Sequence, residues 1–284
     1  MNLSWFPYSI AATIIFGIAM ALYKLPAAKS HNRFATAFWS LLVPAILALL
    51  FFYPYLYLST PAMIWTALIW GVTFTGIVLL QMYALSHVDT NVLFPITTTA
   101  SLILTVLVGM LFFHEYPSLV QALGILLAIG VIFSFLSKGG RLQYSNMVIA
   151  VGTAIFTISA FNKVLQKIIA GQFDIHAFQI YQYGFAALFS LALYLFLHRK
   201  NWRKELFGGG LKAGSLIGVF SFLGGYSLYI ALTKGPFPLI TSIHSLYIII
   251  TALVAYLLFG EKLTKKKIFL LFIAVIAVVL IRVG

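Results

Sequence analysis

Apolar runs of about 20 residues, each the length of a membrane-spanning helix, repeat along almost the whole chain, and only short gaps separate them. Ten such segments fill roughly 200 of the 284 positions. Hydrophobic residues make up 62% of the chain and charged residues only 8%, whereas soluble domains carry about 25% charged residues. The pattern excludes a soluble globular fold and leaves no room for a second, soluble domain.

We predict an all-α integral membrane protein with ten transmembrane helices, because backbone groups in hydrocarbon must be hydrogen-bonded within their own segment. Nine spans are the alternative. A turn-prone Gly139-Gly140 pair separates the fifth span from the sixth. The first span has no basic segment before it, so we interpret it as a helix and not as a cleaved signal. The predicted spans are residues 5–24, 34–57, 61–86, 90–113, 117–137, 145–168, 176–197, 211–233, 237–259 and 264–282.

Lysine and arginine are distributed unevenly between the two sides of this arrangement. Fourteen of the 18 basic residues fall in the loops that follow the odd-numbered spans. The other four are Lys163, Lys167, Lys234 and Arg282. Cytoplasmic loops are enriched in Lys and Arg, so the count predicts that both termini lie outside. The same bias explains the net charge of +13 without a nucleic-acid partner. We therefore expect a multi-pass protein of the cell (inner or plasma) membrane.

An internal repeat is visible when the chain is shifted by 146 residues, which places spans four and five on spans nine and ten. Glu115 then coincides with Glu261, and these are two of only five acidic residues. Five spans per copy is an odd number, so the two copies must insert with opposite orientations. The sequence thus predicts a 5+5 inverted-topology repeat, with residues 1–140 as the first five-helix unit and residues 141–284 as the second.

The segments that close spans four and nine carry a resemblance to a known family. Residues 113–117 read Phe-His-Glu-Tyr-Pro, and residues 259–263 read Phe-Gly-Glu-Lys-Leu. Together with ten spans in two repeats, they resemble the drug/metabolite transporter superfamily, and within it the ten-helix EamA-type transporters. The resemblance implies transport but no particular substrate. It also implies cytoplasmic termini, so either this chain inserts the other way up or the span count is off by one.

No arrangement typical of an enzyme is present, and we predict neither catalysis nor a cofactor nor a metal site. Cysteine is absent, which removes thiol nucleophiles and Cys-based metal sites. His114-Glu115 lacks a second histidine at zinc spacing, and the glycines at 208–210 lack the Lys-Ser/Thr of a phosphate-binding loop.

Two spans carry matched polar stripes. Polar side chains are expensive in hydrocarbon, so matched stripes on repeat-related helices favour a shared water-filled cavity. The alternative is that each Ser or Thr bonds its own helix backbone. The stripe of span nine is Thr241, His244, Ser245, Ile248 and Thr251, and the equivalent positions of span four are Pro95, Thr98, Thr99, Leu102 and Thr105.

His244 is the only histidine deep in a span, and its ordinary pKa range makes it the candidate proton carrier. The alternative is a neutral histidine that bonds a neighbouring Ser or Tyr. Polar groups on other spans are candidates too, either for binding or for holding helices together. The predicted substrate-binding residues are His244, Ser245, Thr241, Thr98, Thr99, Gln81, Tyr229, Tyr226, Asn162 and Gln179.

The remaining charged residues lie near span ends. Glu115 and Glu261 are expected to favour the N-terminal dipoles of spans five and ten. Lys24 is expected to snorkel to the interface. For Lys163 two interpretations stay open, snorkelling or contact with a substrate carboxylate.

The function predicted from these features is that of a secondary transporter, a permease that moves a small polar or amphiphilic metabolite such as an amino acid by alternating access. The family resemblance favours export. One alternative is an importer that holds a quaternary amine in an aromatic cage. Another is a non-transporting scaffold or lipid-handling membrane protein. The expected partners are a small-molecule substrate and the lipid bilayer, with a monomer or a dimer as the assembly.

Overall fold

The computed structural model describes residues 3–88, 90–134, 146–197, 205–261 and 264–284. All regular structure in these ranges is helical. Two short 3-10 turns cover Leu3–Trp5 and Tyr53–Leu58. The α-helices are α1 (Phe6–Leu22), α2 (Leu25–Ala28), α3 (Arg33–Phe52), α4 (Pro61–Ala84), α5 (Thr90–Phe112), α6 (Leu119–Ser134), α7 (Asn146–Gln172), α8 (Ile175–Leu197), α9 (Gly209–Lys234), α10 (Phe237–Ser245), α11 (Tyr247–Phe259) and α12 (Lys265–Val283).

Seven helical segments within the described residues are long and apolar enough to cross a membrane. They contain α1, α3, α4, α5, α8, α9 and the α10–α11 pair. Two shorter apolar helices, Leu119–Ser134 and Ile268–Val283, lie where the fifth and tenth spans are predicted. The 27-residue α7 covers the sixth and carries Lys163 and Lys167. The chain is a multi-pass membrane protein, and the assignment of all ten segments as spans stays a prediction.

Helices from the two ends of the chain pack against each other. Helix α1 contacts α9 and α11, α3 lies between α8 and α9, and α4 contacts α7 and α8. The shorter helices α6 and α12 pair together. Close approach is possible at the α3–α9 crossing because Gly214 lacks a side chain there: a Cβ on it would stand 2.5 Å from the Thr36 carbonyl oxygen. The units 1–140 and 141–284 therefore do not pack as separate bodies.

The predicted ninth span, 237–259, coincides with one apolar helical segment, Phe237–Phe259, and the structure adds an interruption inside it that the sequence did not predict. Helix α10 ends at Ser245, α11 begins at Tyr247, and Leu246 between them has φ −72° and ψ 0°. The Leu246 amide donates to the Ile243 carbonyl at 3.0 Å, a bond of the tighter 3-10 type. The Gly139-Gly140 turn and the boundary at 140/141 lie outside the described residues, as do Asp89 and the basic residues Lys138, Arg141, Arg199, Lys200, Arg203, Lys204 and Lys262.

Candidate functional site

A cavity of about 90 Å³ lies among helices from both ends of the chain. Its wall combines aromatic, aliphatic and uncharged polar side chains with a single lysine. The described residues that line it are Phe16, Met20, Trp70, Phe74, Ile77, Gln81, Thr97, Thr98, Ser101, Ser159, Asn162, Lys163, Gln166, Tyr183, Gly225, Leu228, His244 and Tyr247.

Four wall residues have buried polar atoms with no hydrogen-bond partner among the described residues: Trp70 Nε1, Ser101 Oγ, Asn162 Nδ2 and His244 Nδ1. Asn162 Oδ1 accepts a hydrogen bond from Thr73 Oγ1 at 2.7 Å, so the unpaired group of this side chain is its amide NH₂. The great majority of buried polar atoms in proteins are paired. Unpaired groups gathered on one cavity wall are the arrangement expected of a site that binds a polar ligand.

Lys163 is the one cationic lysine or arginine side chain on the described part of this wall, and no acidic residue lines it. Its Nζ donates to Ser245 Oγ at 3.5 Å, the long end of the hydrogen-bond range. The His244 ring belongs to the same wall and packs edge-on against Phe16, with 5.1 Å between ring centroids.

The two polar stripes meet at this cavity. Thr98 Oγ1 and Tyr247 Oη are 2.9 Å apart, so a hydrogen bond joins α5 to the start of α11. The Thr251 hydroxyl, further along the stripe, donates to the Gly17 carbonyl of α1 at 3.0 Å and to its own helix at Tyr247. The residues that line the cavity, Thr98 and His244, thus lie near Tyr247 and the helix interruption, whereas Thr251 contributes to helix packing.

Two buried or half-buried ion pairs lie beyond the cavity wall. Lys24 Nζ, just after α1, lies 2.5 Å from Glu261 Oε1, just after α11. Glu261 Oε2 also accepts from Thr90 Oγ1 at 2.6 Å, at the start of α5. Both carboxylate oxygens are therefore engaged, one by a cation and one by the N-terminus of another helix.

The second pair has the same construction. Lys167 Nζ lies 2.8 Å from Glu115 Oε1, and Glu115 Oε2 accepts from the Phe237 amide at the start of α10, at 2.5 Å. Helix α5 begins at Thr90, next to one pair, and ends shortly before Glu115 of the other. Its 23 residues correspond to about 33 Å at a rise of 1.5 Å per residue, so the pairs lie at opposite ends of the bundle.

These contacts add to one expectation and correct another. Glu115 and Glu261 contact the starts of α10 and α5, which belong to spans nine and four, and their effect on the starts of spans five and ten stays a prediction. Lys24 is paired with Glu261 and does not simply snorkel. The sequence-based interpretation considered only the next helix along the chain, whereas the helix starts that donate to these carboxylates come from the opposite half of the chain.

Residues 146–283 match the model of the EamA-like transporter family. The second half of the chain thus matches the EamA-like transporter family, which is part of the drug/metabolite transporter superfamily. Several solved structures have a similar fold, and one of them, a protein crystal structure, matches with a TM-score of 0.72, 15% sequence identity and coverage of 95% of either chain. At that identity the likeness concerns the fold alone. No curated protein matches the sequence significantly.

Four of the ten residues predicted to bind substrate line the cavity: Gln81, Thr98, Asn162 and His244. Ser245 lies just behind the wall, in contact with Lys163. For the others, binding stays a prediction, and the structure places them in other contacts. Thr241 bonds the Phe237 carbonyl, Tyr229 bonds Gln182, Tyr226 bonds His176, Gln179 bonds the Ile175 carbonyl, and Thr99 is buried without a partner among the described residues.

Several wall residues were not among the predicted site residues. Ser101 lies three residues after Thr98 and therefore on the same face of the helix, so including it in the span-four stripe would have predicted it. Lys163 directly follows Asn162, and its second interpretation, contact with a substrate, is the one that its position on the wall favours. Phe16 and Trp70 carry no signal of their own, because aromatic residues are common throughout the apolar runs. Within the described residues, no group of three or more His, Asp or Glu side chains is close enough to hold a metal ion.

Proposed function

We propose that this chain is a secondary transporter that exports a small polar or amphiphilic metabolite, such as an amino acid, by alternating access. One observation carries the proposal: the cavity has unpaired polar groups on a wall built by helices from both ends of the chain. Such a wall changes shape whenever the two sets of helices move relative to each other, which is the geometry that alternating access requires.

The packing of the helices supports a 5+5 inverted repeat as the basis of this movement. The comparison leaves out the short α2 and pairs α1, α3, α4, α5 and α6 with α7, α8, α9, the α10–α11 pair and α12. The α1–α9 contact is then matched by α4–α7, and the α3–α9 contact is matched by α4–α8. The two Lys–Glu pairs follow the same correspondence. We propose that one pair separates in each half of the cycle while the other holds its end of the bundle closed.

His244 is the proposed proton-coupling group, since it is on the cavity wall and its Nδ1 has no partner among the described residues. The quaternary-amine importer is less well supported, because the ammonium of Lys163 on the same wall repels a permanent cation. Export, proton coupling and the identity of the metabolite rest on this proposal alone.

The purified chain in proteoliposomes, preloaded with a panel of amino acids and related acids, tests the function. We expect release of at least one compound above the protein-free rate, and a dependence on the pH gradient. Ser101→Leu places an apolar side chain in the cavity and is expected to slow release about tenfold, since it fills the site and removes a polar contact. Ser227→Leu, at a half-buried position of α9 that does not line the cavity, is the matched control. No release of any compound contradicts the proposal.

A further inference from the structure

We propose that Lys163 anchors the carboxylate of the substrate, and that the transported compound is an organic monocarboxylate with an apolar or aromatic body. This inference rests on the proposed transport function and narrows it. The inference assigns the substrate to a chemical class, and it identifies Lys163 of α7 as the main residue that recognises the substrate.

The charges of the described residues leave Lys163 without a carboxylate. Glu115 pairs with Lys167, and Glu261 pairs with Lys24. Asp174 lies next to His176. Glu205 accepts from Asn32, and the fifth acidic residue, Asp89, lies outside the described residues. An ammonium group among transmembrane helices is costly unless an anion or several polar groups compensate it. A bound anion supplies that compensation at the cavity wall.

The hydrogen-bonding groups on the wall also favour an acceptor-only ligand. The Lys163 ammonium has three N–H donors, and within the described ranges the long contact to Ser245 is the only hydrogen bond that uses one of them. Asn162 Nδ2 adds an unpaired amide donor one residue away, and Ser101 Oγ adds a hydroxyl. An ionised carboxylate offers two oxygens with about four acceptor positions and no donor, so it complements this set.

The other wall residues are complementary to the apolar part of such a substrate. The Trp70 and Phe74 rings stack with their centroids 4.2 Å apart, and both line the cavity. Phe16 and Tyr247 add two more rings. Aromatic surfaces of this kind bind flat or branched apolar groups and give most of the affinity in small-molecule sites.

The same wall argues against a cationic or dianionic cargo. No acidic side chain among the described wall residues is available for a substrate ammonium, so a zwitterion keeps its carboxylate contact but finds only neutral acceptors for its amine. A second negative charge would find no second lysine or arginine. A singly charged acid without an amine is the best match.

Three probes that share one phenyl group test the assignment: 3-phenylpropanoate, 3-phenylpropanamide and 3-phenylpropylamine. Binding to the purified full chain in detergent is measured by titration calorimetry, with thermal unfolding as a check that each variant is folded. We expect the wild-type protein to bind the carboxylate about 10- to 100-fold more tightly than the amide, as befits a charge-assisted hydrogen bond, and the amine most weakly.

The variants isolate Lys163. Lys163→Met keeps the length of the side chain without the charge and is expected to bring the carboxylate-to-amide ratio close to one. Lys163→Arg keeps the charge and is expected to retain the preference. Lys29→Gln removes a positive charge from an exposed residue outside the cavity and is expected to change nothing.

A wild-type protein that binds none of the probes, or binds the amide as well as the carboxylate, overturns the inference. A Lys163→Met protein that is folded and keeps the preference overturns it as well. The proposed function fails separately: a wild-type protein that binds the carboxylate through Lys163 but moves no acid in proteoliposomes has the site and is not a transporter.

Discussion

The Lys24 ammonium lies 2.5 Å from a carboxylate oxygen of Glu261, and the two groups come from opposite ends of the sequence. The contact joins the end of α1 to the end of α11. Lys167 and Glu115 form the corresponding contact at the other end of the bundle. Both pairs are formed at once, so each end of the bundle is held by one ion pair and by one bond from a glutamate to a helix start.

Removing one of these pairs is expected to bias the transporter toward opening at that end. Glu261→Gln loses the ion pair with Lys24 but keeps an amide oxygen for Thr90. We expect the population open at this end to rise about tenfold, in line with the loss of a hydrogen bond between charged groups. Spin–spin distances between labels on the ends of α1 and α11 measure the change.

Glu115→Gln is the matched variant and should widen the opposite end only. Exchanging the charges in Lys24→Glu/Glu261→Lys is expected to recover part of the closure that the single variant loses. Equal effects of both single variants at both ends would show that the pairs stabilise the bundle in general and do not close its ends separately.

His244 is expected to carry the coupling to a proton gradient. His244→Gln keeps hydrogen bonding and roughly the size of the side chain but cannot titrate. We expect the dependence of transport on the pH gradient to disappear, while substrate affinity stays within about tenfold, or ~1.4 kcal/mol. His244→Leu is expected to weaken binding too, since it removes a polar group from the wall. Wild-type transport that ignores the gradient would limit His244 to binding or packing.

Orientation follows from the distribution of lysine and arginine and is predicted, with both termini outside. A reporter that is active only outside the cytoplasm is expected to be active when fused after Gly284. In the control, the reporter is inserted at Lys29, in the basic loop after α1. This fusion should give no activity. The reverse pattern would place the termini in the cytoplasm, as the family resemblance implies.

The α3–α9 crossing is expected to tolerate no side chain at Gly214. A Cβ there would lie 2.5 Å from the Thr36 carbonyl and 2.6 Å from Trp39 Cβ, so Gly214→Ala must push the helices apart. Overpacking of this kind costs about 1–3 kcal/mol. Gly76→Ala is the control, because a Cβ there meets nothing within 4 Å. A similar loss of thermal stability in both variants would contradict the explanation.

The all-helical fold and the approximate ends of the helices could be predicted from the sequence, because the length of each apolar run is set by neighbouring residues and can be counted directly. The partners of Glu115 and Glu261 did not, since each carboxylate contacts a helix start more than 100 residues away in the sequence. His244 and Thr98 were found at the cavity because a polar group in an apolar run is costly and therefore conspicuous. Phe16 and Trp70 were missed because aromatic residues are ordinary in such runs.

The interruption at Leu246 was missed for a related reason. Its neighbours Ser245 and Tyr247 are common in membrane helices, and neither Gly nor Pro marks the position. The change from α-type to 3-10 hydrogen bonding depends on how α10 and α11 pack against their neighbours. Local sequence gives no sign of it.

The most direct measurement of alternating access uses a single cysteine in the cavity, which the chain permits because it has no cysteine of its own. Ser101→Cys in proteoliposomes is treated with a membrane-impermeant thiol reagent, added outside or trapped inside. Lys29→Cys and Tyr57→Cys, at exposed positions before and after α3, serve as controls that should each react from one side only. We predict that Ser101→Cys reacts from both sides and that a transported acid slows both reactions. Reaction from one side only, or from neither, would contradict the account.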